Sequence, residues 1–291
     1  MAKQQKSVVV TGVSTGIGWG AAKVLTKGGY RVFGSVRKDA DAKKLSAELG
    51  ANFVPLVFDV VDEKAVRAAA ATVRKALNGE KLFGLVNNAG IAVVGPIVYI
   101  PVDDFRQQLE VNLTGVVIAT QAFAPLLGID PDLKGKPGRI INISSVGGKN
   151  ATPFLGPYNT SKFGLEGLSE ALRRELMPFE IDVIVIAPGA VATAIWGKTG
   201  EGDVARYANT PYAAQLAKLQ TIAAEQGRKG LKPEVLGQAI MKALTAARPK
   251  VRYTVTPEPG LNFIINTVPK RTADRMIAGR LGLMPPKGGR T

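Results

Sequence analysis

Short, mainly apolar segments alternate with stretches of helical periodicity along the first 190 residues, and this alternation limits the fold more than any other feature. The apolar segments are rich in β-branched residues and have no polar face, which is typical of parallel strands covered on both sides. Strand alternating with helix predicts an α/β fold with a doubly wound parallel sheet and helices on both faces. The predicted strands are 7–11, 31–36, 53–58, 82–87, 139–144, 181–187 and 251–256, and the predicted helices are 19–27, 41–49, 62–77, 103–126 and 158–177.

The organisation of the chain predicts a single domain over residues 1–291, because no internal repeat and no linker rich in Pro, Gly or Ser divides it. Residues 190–230 fit the alternation poorly and are predicted to form a substrate loop or lid. Residues 257–291 are a basic C-terminal extension. From 227 to 291 the chain carries thirteen Lys and Arg against three acidic residues, within a net charge of +15. We expect a solvated basic surface and no nucleic-acid partner, because no nucleic-acid-binding motif accompanies the charge.

The absence of two residue types excludes several classes of function. The chain has no cysteine and no histidine. Disulfides, thiolate and imidazole metal ligands, and Ser-His-Asp or Cys-His hydrolases are therefore excluded, and no metal is predicted. No run of about 18 apolar residues predicts a membrane span, and the N-terminus lacks the pattern of a signal peptide. We therefore expect a cytoplasmic protein.

Turn-forming residues cluster where the predicted strands end. The stretch TGVSTGIG (11–18) joins the first strand to the first helix and contains three glycines. Backbone N–H groups at such a helix N-terminus bind the pyrophosphate of a dinucleotide. Because the ligand crevice of an open α/β sheet lies beyond the carboxyl ends of its strands, the pattern predicts one dinucleotide site. The other strand-end motifs are Asp59-Val60, NNAG (87–90), Ser144-Ser145 and Pro188-Gly189.

These motifs, together with Asn112 and YNTSK (158–162), closely resemble those of the short-chain dehydrogenase/reductase family in order and spacing, over residues 7–193. The resemblance implies a Rossmann-type fold of seven strands, a nicotinamide cofactor and a small-molecule ketone or alcohol as substrate. It also implies a homodimer or homotetramer built on the helices at 103–126 and 158–177. A looser resemblance, in RYTVTPEPG and VPKRTADRMI, is to the hydroxysteroid and retinol dehydrogenase branch. The cofactor site is thereby assigned to Gly12, Ser14, Thr15, Gly16, Ile17, Gly18, Arg37, Lys38, Asp59, Val60, Asn88, Ala89, Gly90, Tyr158, Lys162, Pro188, Gly189, Val191 and Thr193.

Tyr158 and Lys162 are one helical turn apart on one face of the predicted helix. A tyrosine titrates near pH ~10, and a nearby cation favours the phenolate. We therefore expect Lys162, helped by the positively charged nicotinamide ring, to lower the pKa of Tyr158. Tyr158 would then be the general acid for ketone reduction or the general base for alcohol oxidation. The resemblance implies that Ser145 holds the substrate oxygen, Lys162 binds the nicotinamide ribose, and Asn112 holds a water for proton relay.

The end of the second strand predicts the cofactor. Relatives that prefer NAD usually carry an acidic residue there, whereas this chain has Val36 followed by Arg37 and Lys38. An Arg can pair with the 2′-phosphate of NADP in bidentate fashion, so we expect NADPH to be preferred over NADH. Thr15 stands where some relatives place a second basic residue, which leaves room for an incomplete preference.

The substrate wall is predicted to follow Pro188-Gly189 and to include the helical-looking segment 211–226. Its mainly apolar residues favour a bulky, neutral ketone or secondary alcohol, and two acidic residues would repel an anion. The alternative is that these apolar groups only pack against the sheet. The wall residues concerned are Ile195, Trp196 and Tyr207, and the acidic residues are Glu201 and Asp203.

Three other functions stay open from the residues. The fold could serve a non-catalytic NADP(H) sensor or scaffold, since fold does not determine function. Against this, a sensor has no need of the proton-transfer set Asn112, Ser145, Tyr158 and Lys162. The basic C-terminal region could hold the protein on a membrane surface, a role compatible with enzyme activity. An epimerase or dehydratase of the extended relatives is the third, although those chains are usually longer and space their glycines differently.

Overall fold

Seven parallel strands form one sheet in the order β3-β2-β1-β4-β5-β6-β7, as the alternation predicts. The computed structural model describes residues 5–192 and 204–285. The strand order reverses between β1 and β4, and the crevice of a doubly wound sheet opens at such a reversal. The strands are β1 Ser7–Val10, β2 Arg31–Val36, β3 Phe53–Val57, β4 Gly84–Asn87, β5 Arg139–Ile143, β6 Asp182–Pro188 and β7 Arg252–Val255.

Helices cover both faces of the sheet, so the central strands are buried on both sides. Val8 and Val10 pack into one core, and Val9 packs into the other, because successive side chains of a strand point to opposite faces. Helices α1, α2 and α8 close the first core, and α3 and α5 close the second. The helices are α1 Gly16–Lys27, α2 Asp39–Leu49, α3 Glu63–Ala76, α4 Val102–Leu109, α5 Gly115–Ala124, α6 Gly156–Glu175, α7 Ala213–Lys229, α8 Pro233–Thr245, α9 Pro259–Thr267 and α10 Lys270–Leu281.

The predicted helix at 103–126 is present, but it is not regular. A π-turn, Glu110–Thr114, joins α4 to α5, and a second one, Pro125–Ile129, follows α5. By length and mean hydropathy alone, Val102–Ile129 could cross a membrane, yet 56% of its most apolar window is buried inside the protein. Phe123 on this helix is fully buried in the core beneath the sheet, so packing accounts for the apolar composition.

Three helices stand over the carboxyl ends of the last strands. Helix α7 occupies much of the segment predicted as a loop or lid, and the helical-looking stretch within it is confirmed. Helices α9 and α10 form within the segment predicted as a solvated extension. That prediction is wrong for part of α10, because Ala273 and Leu281 are buried, Leu281 in a small core with Leu155 and Leu216. The basic residues alone had suggested a fully solvated segment.

Candidate active site

The turn after β1 is locked to the end of β4 by hydrogen bonds. The hydroxyl of Thr11 accepts from the N–H groups of Asn88 and Ala89 at 2.9 and 3.0 Å. The amide of Asn88 donates back to the carbonyl oxygens of Thr11 and Gly12, both at 2.9 Å. The N–H of Gly12 donates to the Ser35 hydroxyl at 2.9 Å, which ties the turn to β2 as well. Three adjacent strands therefore hold one turn in place.

Two glycines in this turn have no room for a side chain. Gly12 has φ +70°, and a Cβ there would lie 2.8 Å from the Cα of Ala89. A Cβ on Gly18 would lie 2.2 Å from the carbonyl oxygen of Gly12, so α1 starts directly against the turn. A bare backbone leading into a helix N-terminus is the arrangement that binds a pyrophosphate. The residues present therefore fit a dinucleotide.

A cleft of about 410 Å³ runs along the carboxyl ends of the strands from this turn. It brings together nearly all of the predicted cofactor residues, which were scattered over 180 positions of the sequence. Gly18 lies beneath the cleft, and Thr193 lies outside the described residues. Lys38 is not among the residues that line the cleft: it occupies the N-cap position of α2 with an exposed side chain, and its contact with the cofactor stays a prediction. The predicted residues that line it are Gly12, Ser14, Thr15, Gly16, Ile17, Arg37, Asp59, Val60, Asn88, Ala89, Gly90, Asn112, Ser145, Tyr158, Lys162, Pro188, Gly189 and Val191.

Arg37 stands at the edge of the cleft where β2 ends. Its side chain is 69% exposed, and one guanidinium nitrogen lies 3.9 Å from a carboxylate oxygen of Asp59. Val36, in the position where an acidic residue would bind ribose hydroxyls, is buried in the core instead. Among the described residues, the end of β2 therefore presents the accessible guanidinium of Arg37 beside Asp59, which follows the neighbouring strand β3.

Asn112 sits inside the π-turn between α4 and α5. Its side-chain oxygen accepts from the N–H of Ile91 at 2.9 Å, and its amide donates to the Ile91 carbonyl at 3.1 Å and to the Ser161 hydroxyl at 3.0 Å. The side chain therefore joins the loop after β4 to α6, next to Lys162. π-Turns inside helices are frequent at functional sites. The relay water assigned to Asn112 stays a prediction.

Tyr158, Lys162 and Ser145 come together at the inner end of the cleft. Tyr158 lies in the first turn of α6, and the Lys162 ammonium is 5.7 Å from the centre of its ring. Lys162 is buried and donates to the carbonyl of Ile143 at 2.8 Å. Ser145 caps a short 3₁₀ turn by accepting from the N–H of Gly147 at 3.0 Å. The spacing of Tyr158 and Lys162 had predicted that these two side chains lie on one face of a helix, and the catalytic roles of the three residues stay predictions.

The pKa values of the two ionisable groups are shifted mainly by burial. Burial raises the pKa of Tyr158 above its ordinary value, and a hydrogen bond with Ser145 lowers it by less. Burial also lowers the pKa of Lys162 to about 8, against the opposing charge of Glu166. The expectation that Lys162 lowers the pKa of Tyr158 is therefore wrong for the protein chain itself. Removal of the phenol from water dominates, and sequence spacing carries no measure of it.

A second cavity, of about 370 Å³, opens on the far side of Tyr158. One wall is α7, which contains the segment predicted to line the substrate site, and the opposite wall is α9 and α10, which the sequence had not indicated. That this cavity binds the substrate stays a prediction. Tyr207 is not part of the lining: it is buried in the small core that holds Leu216. Ile195, Trp196, Glu201 and Asp203 lie outside the described residues. The apolar lining residues include Leu219, Ile222, Leu261, Ile265, Met276 and Ile277.

Three supporting residues were missed at the sequence level. Thr11 and Ser35 anchor the glycine turn, and Ser161 receives the hydrogen bond of Asn112. Thr11 and Ser161 lie inside the motifs TGVSTGIG and YNTSK, so the two motifs themselves were a signal for these residues. Ser35 carries no such signal, since it is an ordinary strand residue until β1 and β2 are paired.

Comparison with known proteins gives the same family from several directions. The family model described as short chain dehydrogenase matches residues 6–203. An NADPH-dependent 3-dehydrocapnine reductase from Ornithobacterium rhinotracheale is 41% identical over 270 residues, covering 92% of this chain and 94% of that one. The mitochondrial D-beta-hydroxybutyrate dehydrogenase of Rattus norvegicus is 32% identical over 269 residues, covering 85% and 76%. A short-chain dehydrogenase from Streptomyces avermitilis superposes with a TM-score of 0.76 at 25% identity, covering all of both chains.

The chain therefore belongs to the short-chain dehydrogenase family. It is an oxidoreductase that depends on a nicotinamide cofactor, and the predicted family, fold class and type of cofactor are confirmed. The predicted dependence on helices 103–126 and 158–177 for oligomer formation stays a prediction.

Proposed function

We propose that this protein is an NADPH-dependent reductase of bulky, apolar ketones, with Tyr158 as the proton donor. One observation carries the proposal. The cofactor cleft and the apolar cavity share three lining residues, Ser145, Tyr158 and Gly189. The carbon of a substrate carbonyl placed at this junction would face the cofactor cleft. Its oxygen would face the hydroxyl groups of Ser145 and Tyr158.

The residues at the junction suit ketone reduction. When bound, the nicotinamide cofactor supplies the hydride, and the protein supplies position and a proton. A raised pKa keeps the phenol of Tyr158 protonated at neutral pH, so it can donate to the developing alkoxide. Ser145 would hydrogen-bond the same oxygen. The Lys162 ammonium uses one of its three N–H groups on Ile143, which leaves two to bind the ribose and stabilise a phenolate after transfer.

The preference for NADPH is supported by the corner at Arg37. No carboxylate stands at Val36 to accept ribose hydroxyls, and the Arg37 side chain is accessible for the 2′-phosphate. Phosphate recognition by Arg is charge-assisted and bidentate. The relative at 41% identity is named as NADPH-dependent, which agrees with this interpretation. Asp59 at 3.9 Å would share the guanidinium, so we expect a preference rather than an absolute requirement.

The substrate class is argued from the cavity. The names of the two curated relatives differ in substrate, dehydrocapnine in one and hydroxybutyrate in the other. The cavity here is walled by apolar side chains from α7, α9 and α10, with one acidic residue, Glu258, and one basic residue, Arg280, among its described lining. Such a lining favours a substrate with a long or bulky apolar part and no net charge.

The test is a series of methyl ketones with lengthening alkyl chains, followed by NADPH absorbance. Each buried methylene contributes about 0.8 kcal/mol, so kcat/KM should rise about fourfold per methylene until the cavity is full. Tyr158→Phe should abolish turnover and leave NADPH affinity nearly unchanged, because only the proton donor is lost. A flat series, or a preference for charged or sugar-like substrates, would contradict the substrate class. Turnover by the Tyr158→Phe protein would contradict the mechanism.

The rival interpretation, a non-catalytic NADP(H) sensor, is separated by the same experiment. A sensor would bind NADPH and show no turnover with any ketone in the series, whether or not Tyr158 is intact. The complete set of Asn112, Ser145, Tyr158 and Lys162 in the cofactor cleft supports the enzyme.

A further inference from the structure

A partly buried ion pair lies directly behind the reacting residues and joins α6 to the edge strand β7. Arg252, the first residue of β7, has its Nε at 3.2 and 3.1 Å from the two carboxylate oxygens of Glu166. The two side chains are only 18% and 17% exposed. Shielded from solvent, such a pair acts on neighbouring charges far more strongly than the exposed pairs elsewhere on the protein.

The same guanidinium reaches Ser145. One terminal nitrogen of Arg252 lies 3.4 Å from the main-chain carbonyl of Ser145, and the other lies 2.5 Å from the hydroxyl of Thr254. A planar guanidinium holds its donors in a fixed geometry. One side chain therefore contacts α6, the loop that carries Ser145, and its own strand.

Glu166 is one helical turn beyond Lys162 on α6, and its charge acts on that ammonium. Burial lowers the pKa of Lys162 to about 8, and Glu166 is the group whose charge opposes this. Among the described residues, the titratable neighbours of Lys162 are Tyr158 and Glu166 on α6, and Arg252 on β7 pairs with Glu166. The other charged residues in the described lining of the cleft are Arg37, Asp59 and Glu110.

We infer that Glu166 and Arg252 are a positioning pair for the proposed reductase: Glu166 keeps Lys162 charged, and Arg252 limits that effect while holding the Ser145 loop. The existence of the pair rests on the contacts described above, and its role in catalysis rests on the proposed function. The competing view is that the pair merely ties β7 to α6. The two views predict different changes in the pKa of Lys162. A purely structural link between β7 and α6 has no directional effect on that pKa. A charge pair lowers the pKa of Lys162 when Glu166 is neutralised and raises it when Arg252 is neutralised.

The test is an NMR titration of the full chain labelled with lysine at the ε carbon, with the Lys162 signal identified by its loss in Lys162→Met. Glu166→Gln should lower the pKa of Lys162 by roughly one unit, because only the repulsive Arg252 remains. Arg252→Gln should raise it, because the carboxylate is no longer neutralised. Arg252→Lys, which keeps the charge, should leave it near the native value, and the double variant should return towards that value.

The matched control is Glu170→Gln, which removes a carboxylate of the same helix whose partner, Arg174, is exposed. Glu170→Gln should leave the pKa of Lys162 unchanged. Shifts of the same sign in Glu166→Gln and Arg252→Gln, or shifts no larger than those of the control, would overturn the inference. If Arg252→Gln does not fold, the comparison of Glu166→Gln with Glu170→Gln decides alone.

The pH dependence of the kinetics should shift in the same direction as the pKa of Lys162. The pH profile of kcat/KM for NADPH reports the free enzyme, so its basic limb should move to lower pH in Glu166→Gln and to higher pH in Arg252→Gln. The titration itself needs no turnover. A protein that reduces no ketone but shows the two opposite shifts would therefore contradict the proposed function and leave the pair standing.

Discussion

Arg37 is the residue that we expect to discriminate between the two nicotinamide cofactors. Arg37→Ala should raise KM for NADPH and leave the kinetics with NADH nearly unchanged, because only NADPH carries the 2′-phosphate. Loss of a charge-assisted hydrogen bond costs about 1.5–3 kcal/mol, so kcat/KM with NADPH should fall by roughly 10- to 150-fold. Steady-state kinetics with both cofactors on one ketone measures this.

The neighbouring residue provides the control. Lys38 has the same charge and is exposed, but it occupies the N-cap position of α2 and does not line the cleft. Lys38→Ala should therefore change the preference by much less than Arg37→Ala. Equal use of NADH and NADPH by the native enzyme would show that Val36 and Arg37 do not determine the preference.

Helix α9 is the element that we expect to bind the apolar part of the substrate. Ile265 lines the cavity, whereas Ile264, on the same helix, faces away from it and is 45% exposed. Ile265→Ala removes about 2 kcal/mol of apolar contact, so kcat/KM for the longest ketones should fall roughly 5- to 30-fold, with little change for the shortest.

Ile264→Ala is the paired control on that helix, since it removes the same atoms from the outer face. It should leave the whole ketone series unchanged. If the two variants lower kcat/KM equally, α9 acts through its stability and not as the wall of the substrate site.

The elements with a strong pattern were predictable, and those shaped by tertiary contacts were not. Six of the seven strands were predicted because each is a mainly apolar run between turn residues, and β7 was predicted from a run rich in β-branched residues. The π-turn at Asn112 was not, since it depends on the Ile91 backbone and Ser161, which lie far away in sequence. Helix α8 was also missed, although Leu236, Ile240 and Leu244 recur at helical spacing on its buried face.

The candidate site divides in the same way. Residues that stand at strand ends, such as Gly12, Ser145 and Gly189, were predictable because topology alone brings strand ends together. The position of Tyr207 was not, because it depends on which way the side chain points, and here the ring is buried in the small core that holds Leu216. The direction of the Tyr158 pKa shift was also beyond reach, since it follows from the degree of burial.

At the scale of the whole molecule, Lys162 couples the chemistry to the stability of the fold. Its pKa falls from 10.5 to about 8 on folding, so between those values the unfolded chain binds more protons than the folded one. Stability due to this group therefore rises with pH across that window, and the full cost, roughly 3 kcal/mol, is present below about pH 8.

Lys162→Met should consequently raise the free energy of unfolding near neutral pH by roughly 1–3 kcal/mol, less whatever the lost hydrogen bond to Ile143 contributed. It should also remove the rise in stability between about pH 8 and about pH 10. Urea denaturation at several pH values measures both effects, with Lys149→Met as the exposed control. A variant that keeps the native pH dependence would show that Lys162 carries no burial cost.

The exposed surface is consistent with the predicted self-association, which stays a prediction. Val102 on α4 is 63% exposed and Phe163 on α6 is 46% exposed, and these are the two helices that the family resemblance assigns to a subunit interface. The net charge of +15 makes any such contact dependent on ionic strength.

The cofactor cleft and the three helices that wall part of the apolar cavity are encoded in different parts of the gene. The described lining of the cofactor cleft lies within residues 12–191, whereas α7, α9 and α10, which wall the apolar cavity, begin only at Ala213. Substitutions encoded late in the gene can therefore accumulate without replacing any described residue that lines the cofactor cleft. In this chain, substrate preference can therefore change through substitutions in these late helices while the residues of the cofactor cleft stay the same.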